Sequence, residues 1–286
     1  MKEKEFILGC WQIGGLPSFR DMNKGEVSEL LETAFTLGIR SYDTAPIYGN
    51  GKSESFIGEI LSPVRKDIRI ISKFGFSIVN GRSVYDVSSE GIKSQLNESL
   101  NRLKTDFIDT YLLHIPQRIE NPNQIINTLN ELTKRGLIRQ YGLSNCSGDL
   151  LKQFLSIKEQ NITVIQDFYN LIDRGVEKSI FPYIDESIEF MAYSPLYRGG
   201  LTQRSMAEIL KRDENALNML FRNQGLKQFL RDRKLYEIIA ERKNKTLKEL
   251  ALEFLMHEPH VSSIIFGTSD KNHLHELYSL FQEKYI

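Results

Sequence analysis

Short runs of β-branched and aromatic residues alternate along this chain with segments whose apolar positions recur every three or four residues. The runs extend from Phe6 to Cys10, Ile39 to Asp43, Ile68 to Lys73, Ile108 to His114, Arg139 to Ser144, Thr163 to Asp167, Glu189 to Tyr193 and Ser262 to Phe266, and they predict eight strands. Between them, Val27, Leu30, Leu31, Ala34 and Phe35 share one helical face, which Gly38 closes as a left-handed cap. Ile92, Leu96, Leu100 and Leu103 make a second stripe, and Ile125, Ile126, Leu129 and Leu132 a third that stops at Gly136. Near the C-terminus, Thr246 followed by Glu249 predicts a capping box ahead of Leu247, Leu250, Ala251, Phe254 and Leu255.

Strand and helix in strict alternation call for parallel βαβ units. Eight units without a linker or a change in composition predict a single-domain α/β fold, a closed (β/α)8 TIM barrel over residues 1–286, with an open doubly wound sheet as the alternative. The longest stretch outside the repeat, residues 199–225, is expected to be a βα-loop insertion over the barrel mouth. Lys plus Arg and Asp plus Glu number 37 each, so net charge gives no reason to expect nucleic acid or an anionic membrane as partner. Cys10 and Cys146 are the only cysteines, at a spacing that suits neither a disulfide framework nor a zinc site. No signal peptide and no apolar run of about 18 residues is recognisable, so a soluble, cytoplasmic protein is expected.

In a barrel of this kind reacting groups stand at the C-terminal ends of strands. Three predicted strands end in titratable residues, Asp43, Lys73 and His114, and Tyr48 follows Asp43 in a turn marked by Pro46 and Gly49. Singly, each has a plain structural explanation: a cap, a surface ion pair, a core histidine, a packed ring. Together they fall on one rim. A tyrosine, whose ordinary pKa is about 10, donates a proton poorly near neutrality unless its phenolate is stabilised. Lys73 would supply a cation that lowers that pKa, Asp43 would keep the ammonium charged and oriented, and His114 would hydrogen-bond a substrate oxygen.

The segments that carry these residues, SYDTAPIYG, ISKFG and YLLH, resemble the Asp, Tyr, Lys, His tetrad of the aldo-keto reductases. Five further segments extend the resemblance from about Phe6 to the C-terminus: LGCWQIGG, GLSN, VIQDFYN, AYSPLYRGGL and IIFGTSD look like the family's first, fifth, sixth, seventh and eighth strands. The resemblance implies a reductase that uses a nicotinamide dinucleotide without a Rossmann domain, and no GxGxxG stands between a predicted strand and helix. GNGKS at Gly49 to Ser53 is not a Walker loop, because Pro46 stands where the first glycine is needed.

By similarity, Tyr48 is the proton donor, Lys73 and Asp43 its tuning pair, and His114 the carbonyl-orienting group. Ser144, Asn145 and Gln166 would hold the nicotinamide carboxamide, Tyr193 would stack on the ring, and Trp11 would stand near the pocket. Leu196, Arg198, Gly199 and Leu201 fall where the family wraps the pyrophosphate. Gly267, Thr268, Ser269, Lys271, His273 and Glu276 fall at the adenosine end. His273 occupies the place of the family's usual Arg for the 2′-phosphate, and Leu277 replaces the Asn that follows Glu276. A neutral His offers at most one donor where Arg offers a fork. NADP(H) stands as the family default, and the loss of the fork makes NAD(H) the alternative.

Other histidines carry no metal signature: His257 and His260 are three apart with Pro259 between them, and His273 and His275 face different sides of a helix. No metal is expected. The leading function is reduction of a small-molecule aldehyde or ketone to an alcohol; the alternatives are a dinucleotide-sensing module with slow turnover and a barrel aldolase or lyase with a Schiff base on Lys73. Phe76, Pro116, Tyr169 and Tyr197 are expected to wall a mouth open enough for bulkier or sugar-like carbonyl compounds.

Overall fold

A computed structural model describes residues 3–15, 19–79, 81–117, 119–205, 208 and 225–283. The strands are β1 (Glu5–Gly9), β2 (Ser41–Asp43), β3 (Arg69–Phe74), β4 (Phe76–Val79), β5 (Arg82–Tyr85), β6 (Ile108–Leu113), β7 (Ile138–Ser144), β8 (Ile162–Phe168), β9 (Glu189–Tyr193) and β10 (Val261–Gly267). Among the described residues, the helices are α1 (Lys24–Thr36), α2 (Lys52–Leu61), α3 (Ser89–Leu103), α4 (Pro122–Lys134), α5 (Gly148–Leu155), α6 (Val176–Ser179), α7 (Gly225–Arg242), α8 (Leu247–His257) and α9 (Lys271–Glu283).

Eight strands close into a barrel in the order β1-β2-β3-β6-β7-β8-β9-β10, with every neighbouring pair parallel. Closure removes both sheet edges, and it excludes the open doubly wound alternative. Inward-pointing Ile7, Ile71, Leu112, Val164, Met191 and Ile265 fill the barrel's middle. The opposite faces of the strands pack on the helices, where Val27, Leu30, Ile92, Leu96, Ile126 and Leu129 from the predicted stripes are buried. At the N-terminal ends the interior becomes ionic: Arg69 donates to Glu189 at 3.0 and 2.6 Å and to Glu5 at 2.9 Å, and Ser263 donates to Glu189 at 2.5 Å. This plug closes the floor, so the C-terminal ends form the open face.

Between β3 and α3 lies an antiparallel hairpin, β4 with β5, that the periodicity reading passes over. Its signal is Asn80-Gly81 between alternating residues, and Gly81 takes φ +73°, the left-handed conformation such turns need. Of the expected 199–225 insertion, residues 199–205 are described and continue a turn at Tyr197–Gly199; apart from Glu208, the stretch up to 224 lies outside the described residues. No helix among the described residues is long and apolar enough to cross a membrane.

The layers predict unequal sensitivities. Ile71→Ala, which empties a position inside the barrel, should cost about 2–5 kcal/mol in urea unfolding. Thr246→Ala, which removes the oxygen accepting the Glu249 N–H at 3.2 Å, should cost about 1 kcal/mol.

Candidate active site

Asp43 ends β2, and the chain leaves the barrel through buried Thr44 and Ala45 into the turn that carries Tyr48, whose N–H donates to the Ala45 carbonyl at 3.0 Å. That turn is fixed from two sides. A Cβ on Gly49, which has φ +59°, would lie 1.9 Å from the Gly14 carbonyl oxygen, so only glycine allows the turn to lie against the loop after β1. The Ser53 hydroxyl donates to the Cys10 carbonyl at 2.8 Å and pairs with the Thr44 hydroxyl at 2.9 Å.

Lys73, on the adjacent strand, is 1% exposed. Its Nζ donates to both Asp43 carboxylate oxygens and to the Thr44 carbonyl, each at 2.8 Å, and stands 3.4 Å from Tyr48 Oη. Asp43 Oδ2 also accepts from Gln166 Nε2 at 2.7 Å. From Gln166 the polar chain continues around the rim: Ser144 Oγ donates to Gln166 Oε1 at 3.2 Å, Asn145 Nδ2 donates to Ser144 Oγ at 2.9 Å and to the His114 carbonyl at 3.2 Å, and the Tyr193 hydroxyl donates to Asn145 Oδ1. The His114 ring meets Tyr48 edge-on, with centroids 5.8 Å apart. Trp11 stacks beside Tyr48 at 6.0 Å, with Phe19 against its edge and the Arg198 guanidinium 4.9 Å over its ring.

Burial dominates the electrostatics. It holds the Lys73 pKa below the ordinary lysine value although Asp43, Cys10 and Glu54 all pull upward. The Tyr48 phenol lies well above its ordinary value, first through burial and then through Asp43 and Cys10, with Arg198 as the opposing charge. The net direction is opposite to the expected acidification, because desolvation outweighs the contact with Lys73. His114 is held well below its ordinary value by burial and then by Lys73, so it is a neutral imidazole with one N–H to give. Burial likewise raises the Cys10 thiol and lifts Cys146 to about 12, which leaves both unreactive. Asp167, next to Gln166, is pushed up to about 7 by burial despite the Phe168 N–H bonded to it.

Farther along the rim, Ser194, Tyr197 and Arg198 take φ of 57°, 48° and 54° and Gly199 93°, which bends the loop holding Leu196 and Leu201 sharply across the open face. It leads to a cavity of about 270 Å³ lined by Thr202, Arg204, Glu208, Lys248, His273 and Glu276. His273 Nδ1 lies 3.2 Å from the Thr268 hydroxyl, and Lys248 pairs with Glu276. Gly267 ends β10 against Gln12, where a Cβ would come within 2.5 Å of the amide oxygen. Ser269 is partly exposed beside this turn. Lys271 is not at the cavity: exposed on α9, it pairs with Glu29 at 2.8 Å.

The expected aromatic wall is only partly present. Phe76 meets His114 edge-on at 6.4 Å, and Pro116 is partly exposed beyond β6. Tyr169 instead donates to Glu177 at 2.7 Å and packs on Phe181 and Phe254, and Tyr197 stacks on Phe229 and meets Phe168 at 5.6 Å; both are buried. Sequence reasoning misses Arg204, Lys248 and Phe19: a helix stripe hides Lys248 among apolar neighbours, and nothing local marks the other two. Among the described residues, no group of three or more His, Cys, Asp or Glu is placed to hold a metal.

The sequence model of the Aldo/keto reductase family matches residues 5–285. The uncharacterized oxidoreductase YqkF of Bacillus subtilis (strain 168) is 30% identical over 275 residues, which cover 95% of this chain and 85% of that protein. The NADH-specific methylglyoxal reductase of Escherichia coli (strain K12) is 28% identical over 285 residues, covering 94% of this chain and 87% of that one. The holo form of an aldo-keto reductase from Bacillus halodurans is similar in structure at a TM-score of 0.82 and 27% identity, covering 96% of this chain and 86% of the other.

Two titrations check the electrostatics. The His114 imidazole, followed by NMR, should stay neutral from pH 8 down to 6. An Asp167 carboxyl near 7 when folded and near its ordinary 3.8 when unfolded favours folding below the lower value and loses that contribution as pH rises through the upper one. Asp167→Asn should therefore gain on the unaltered protein in urea midpoint between pH 4 and 8.

Proposed function

This chain belongs to the aldo/keto reductase family, an NAD(P)H-dependent oxidoreductase, and from that premise we propose that Tyr48, Lys73, Asp43 and His114 are the residues through which it reduces an aldehyde or ketone. The observation that carries this reading is the Lys73 ammonium, held by three acceptors at 2.8 Å and standing 3.4 Å from the Tyr48 hydroxyl at the open face.

Each group has a task that its surroundings allow. Neutral His114 donates a hydrogen bond to the carbonyl oxygen and orients it. The nicotinamide, when bound, supplies hydride to the carbonyl carbon. Tyr48, whose raised pKa keeps its proton from water, gives it to the far more basic oxygen that develops as the carbonyl is reduced. Lys73 donates to the phenolate left behind, and Asp43 keeps the ammonium in place. General acid assistance of this kind contributes about 10²- to 10⁴-fold.

The rim fits a dinucleotide. Ser144, Asn145 and Gln166 offer hydroxyl and amide groups in one continuous chain of hydrogen bonds, and the partly exposed Tyr193 ring is bonded to its Asn145 end; these residues would hold the carboxamide and stack on the nicotinamide, with Trp11 close by. Leu196, Arg198, Gly199 and Leu201 would wrap the pyrophosphate, and Gly267, Thr268, Ser269, His273 and Glu276 the adenosine end. Arg204 and Lys248 bring cations to the cavity where His273 replaces the family's Arg, which favours NADP(H); Glu208 and Glu276 offset part of that charge. The E. coli relative is by name NADH-specific, and NAD(H) is the alternative that a titration decides. Lys271, paired with Glu29, is left out of this set.

The ring surfaces of Trp11, Phe19 and Phe76 support carbonyl compounds with an aromatic or apolar substituent, beside the bulkier and sugar-like ones that suit an open mouth. We further read the chain as one domain and as a cytoplasmic protein, its two cysteines being separately buried thiols. A Schiff base on Lys73 is disfavoured because its nitrogen already serves four oxygens, and a pure sensing role leaves the proton-donating set without a task.

Tyr48→Phe should reduce kcat for carbonyl reduction by about 100-fold or more, while quenching of the lone Trp11 by NADPH or NADH keeps its midpoint. Full turnover in this variant would overturn the assignment of the acid.

A further inference from the structure

Glu54, in the first turn of α2, is 0% exposed and takes no part in the chemistry described so far. Its Oε1 accepts from the Ser72 hydroxyl at 2.6 Å and its Oε2 from Arg102 Nε at 2.7 Å. Ser72 immediately precedes Lys73 on β3, one side chain pointing out to the helices and the next into the mouth. Arg102, near the end of α3, is 25% exposed and also lies 3.5 Å from Glu98. Its approach depends on Gly58, one turn along α2, where a Cβ would come within 2.2 Å of the Arg102 carbonyl oxygen. Two helices therefore touch through glycine so that a guanidinium can meet a carboxylate under the strand bearing Lys73.

A buried ion pair of this kind is seldom the most stable filling for its space, since apolar residues of like volume do as well or better. The neighbouring Tyr111 hydroxyl, on β6, is buried without a hydrogen-bond partner. The groups facing Lys73 are Asp43, the Thr44 carbonyl and Tyr48 from β2 and its turn, Cys10 from the end of β1, neutral His114 from β6, and Glu54 from α2; the charge of Glu54 is among those that favour the Lys73 ammonium. Glu54 itself faces Ser72, Arg102 and Tyr111, with Glu98 beyond Arg102.

We propose that Glu54 is a positioning residue of the reductase site: through Ser72 it fixes the strand that carries Lys73, and its buried carboxylate keeps the Lys73 amine protonated opposite Tyr48, with Arg102 setting how much of that charge reaches the site. The inference rests on the roles assigned to Tyr48 and Lys73 above. It distinguishes two changes that a purely structural clamp would treat alike. Removing the anion weakens the ammonium, whereas removing the guanidinium leaves the anion uncompensated and strengthens it.

The test is NMR titration of the Lys73 Nζ resonance in full-length, lysine-labelled protein, assigned by its loss in Lys73→Arg. Glu54→Gln should weaken the proton affinity of Lys73 by about tenfold, and Arg102→Gln should raise it or leave it unchanged. In kinetics, Glu54→Gln should lower kcat and move its alkaline limb to lower pH, with KM values for cofactor and carbonyl within about twofold. If Glu54→Gln does not fold, the E54Q/R102Q double variant, in which two neutral side chains replace the ions, must show a weakening in the same direction, smaller by whatever Arg102→Gln alone adds. An unmoved Lys73 midpoint in whichever of these two folds, or a fall of equal size in Arg102→Gln, overturns the proposal. A shifted midpoint in a protein whose unaltered form reduces no carbonyl upholds the link between Glu54 and Lys73 and refutes the reductase reading instead.

Discussion

The contact between the Lys73 ammonium and the Asp43 carboxylate, sealed at the top of the barrel with both side chains almost wholly buried, is the constraint from which the rest of the open face is built. Burying two charges is expensive, and their mutual attraction offsets the loss of water only when the remaining lone pairs and protons are also satisfied. Here the Thr44 carbonyl, the Tyr48 hydroxyl and the Gln166 amide complete the set. Strand register makes this arrangement possible: Asp43 pairs with Ile71, so Lys73 stands two residues farther up the neighbouring strand on the same inward face, with a side chain long enough to reach back. The turn from Asp43 to Tyr48 is pinned by its backbone and by Ser53, which brings the phenol to the amine.

The barrel's interior changes character with height. The floor is an ionic plug of Arg69, Glu5 and Glu189, the middle is aliphatic, and the top is a polar chain from Asp43 through Gln166, Ser144 and Asn145 to Tyr193. The upper layer carries partly buried, strongly perturbed groups, as is usual where chemistry is placed at the C-terminal ends of parallel strands.

Much of this was legible in the residues. Parallel strands buried on both faces read as continuous apolar runs, so all eight barrel strands could be located, each with bounds within about two residues of those observed. Asp43, Lys73 and His114 stood out because they end such runs. What escaped depends on distance and solvent. The direction of the Tyr48 shift is set by desolvation, which no local pattern reports. Tyr169 and Tyr197 lie past strand ends, where alternation no longer tells inside from outside, and both are packed among other rings and buried. Lys271 looked available to a phosphate until α1 brought Glu29 against it. Glu54, Arg102, Arg204 and Lys248 gain their meaning only from elements far along the chain.

The central claim is that a phenol, an amine, an acid and an imidazole form one proton-delivering unit beside a bound nicotinamide. A crystal structure of the protein soaked with reduced dinucleotide tests it most directly. The expected result is the nicotinamide ring against Tyr193, its carboxamide on Ser144, Asn145 and Gln166, and the Lys73 contacts to Asp43 and Tyr48 intact. A dinucleotide lodged away from this rim, or Lys73 withdrawn from Tyr48 to bind it, would contradict the claim.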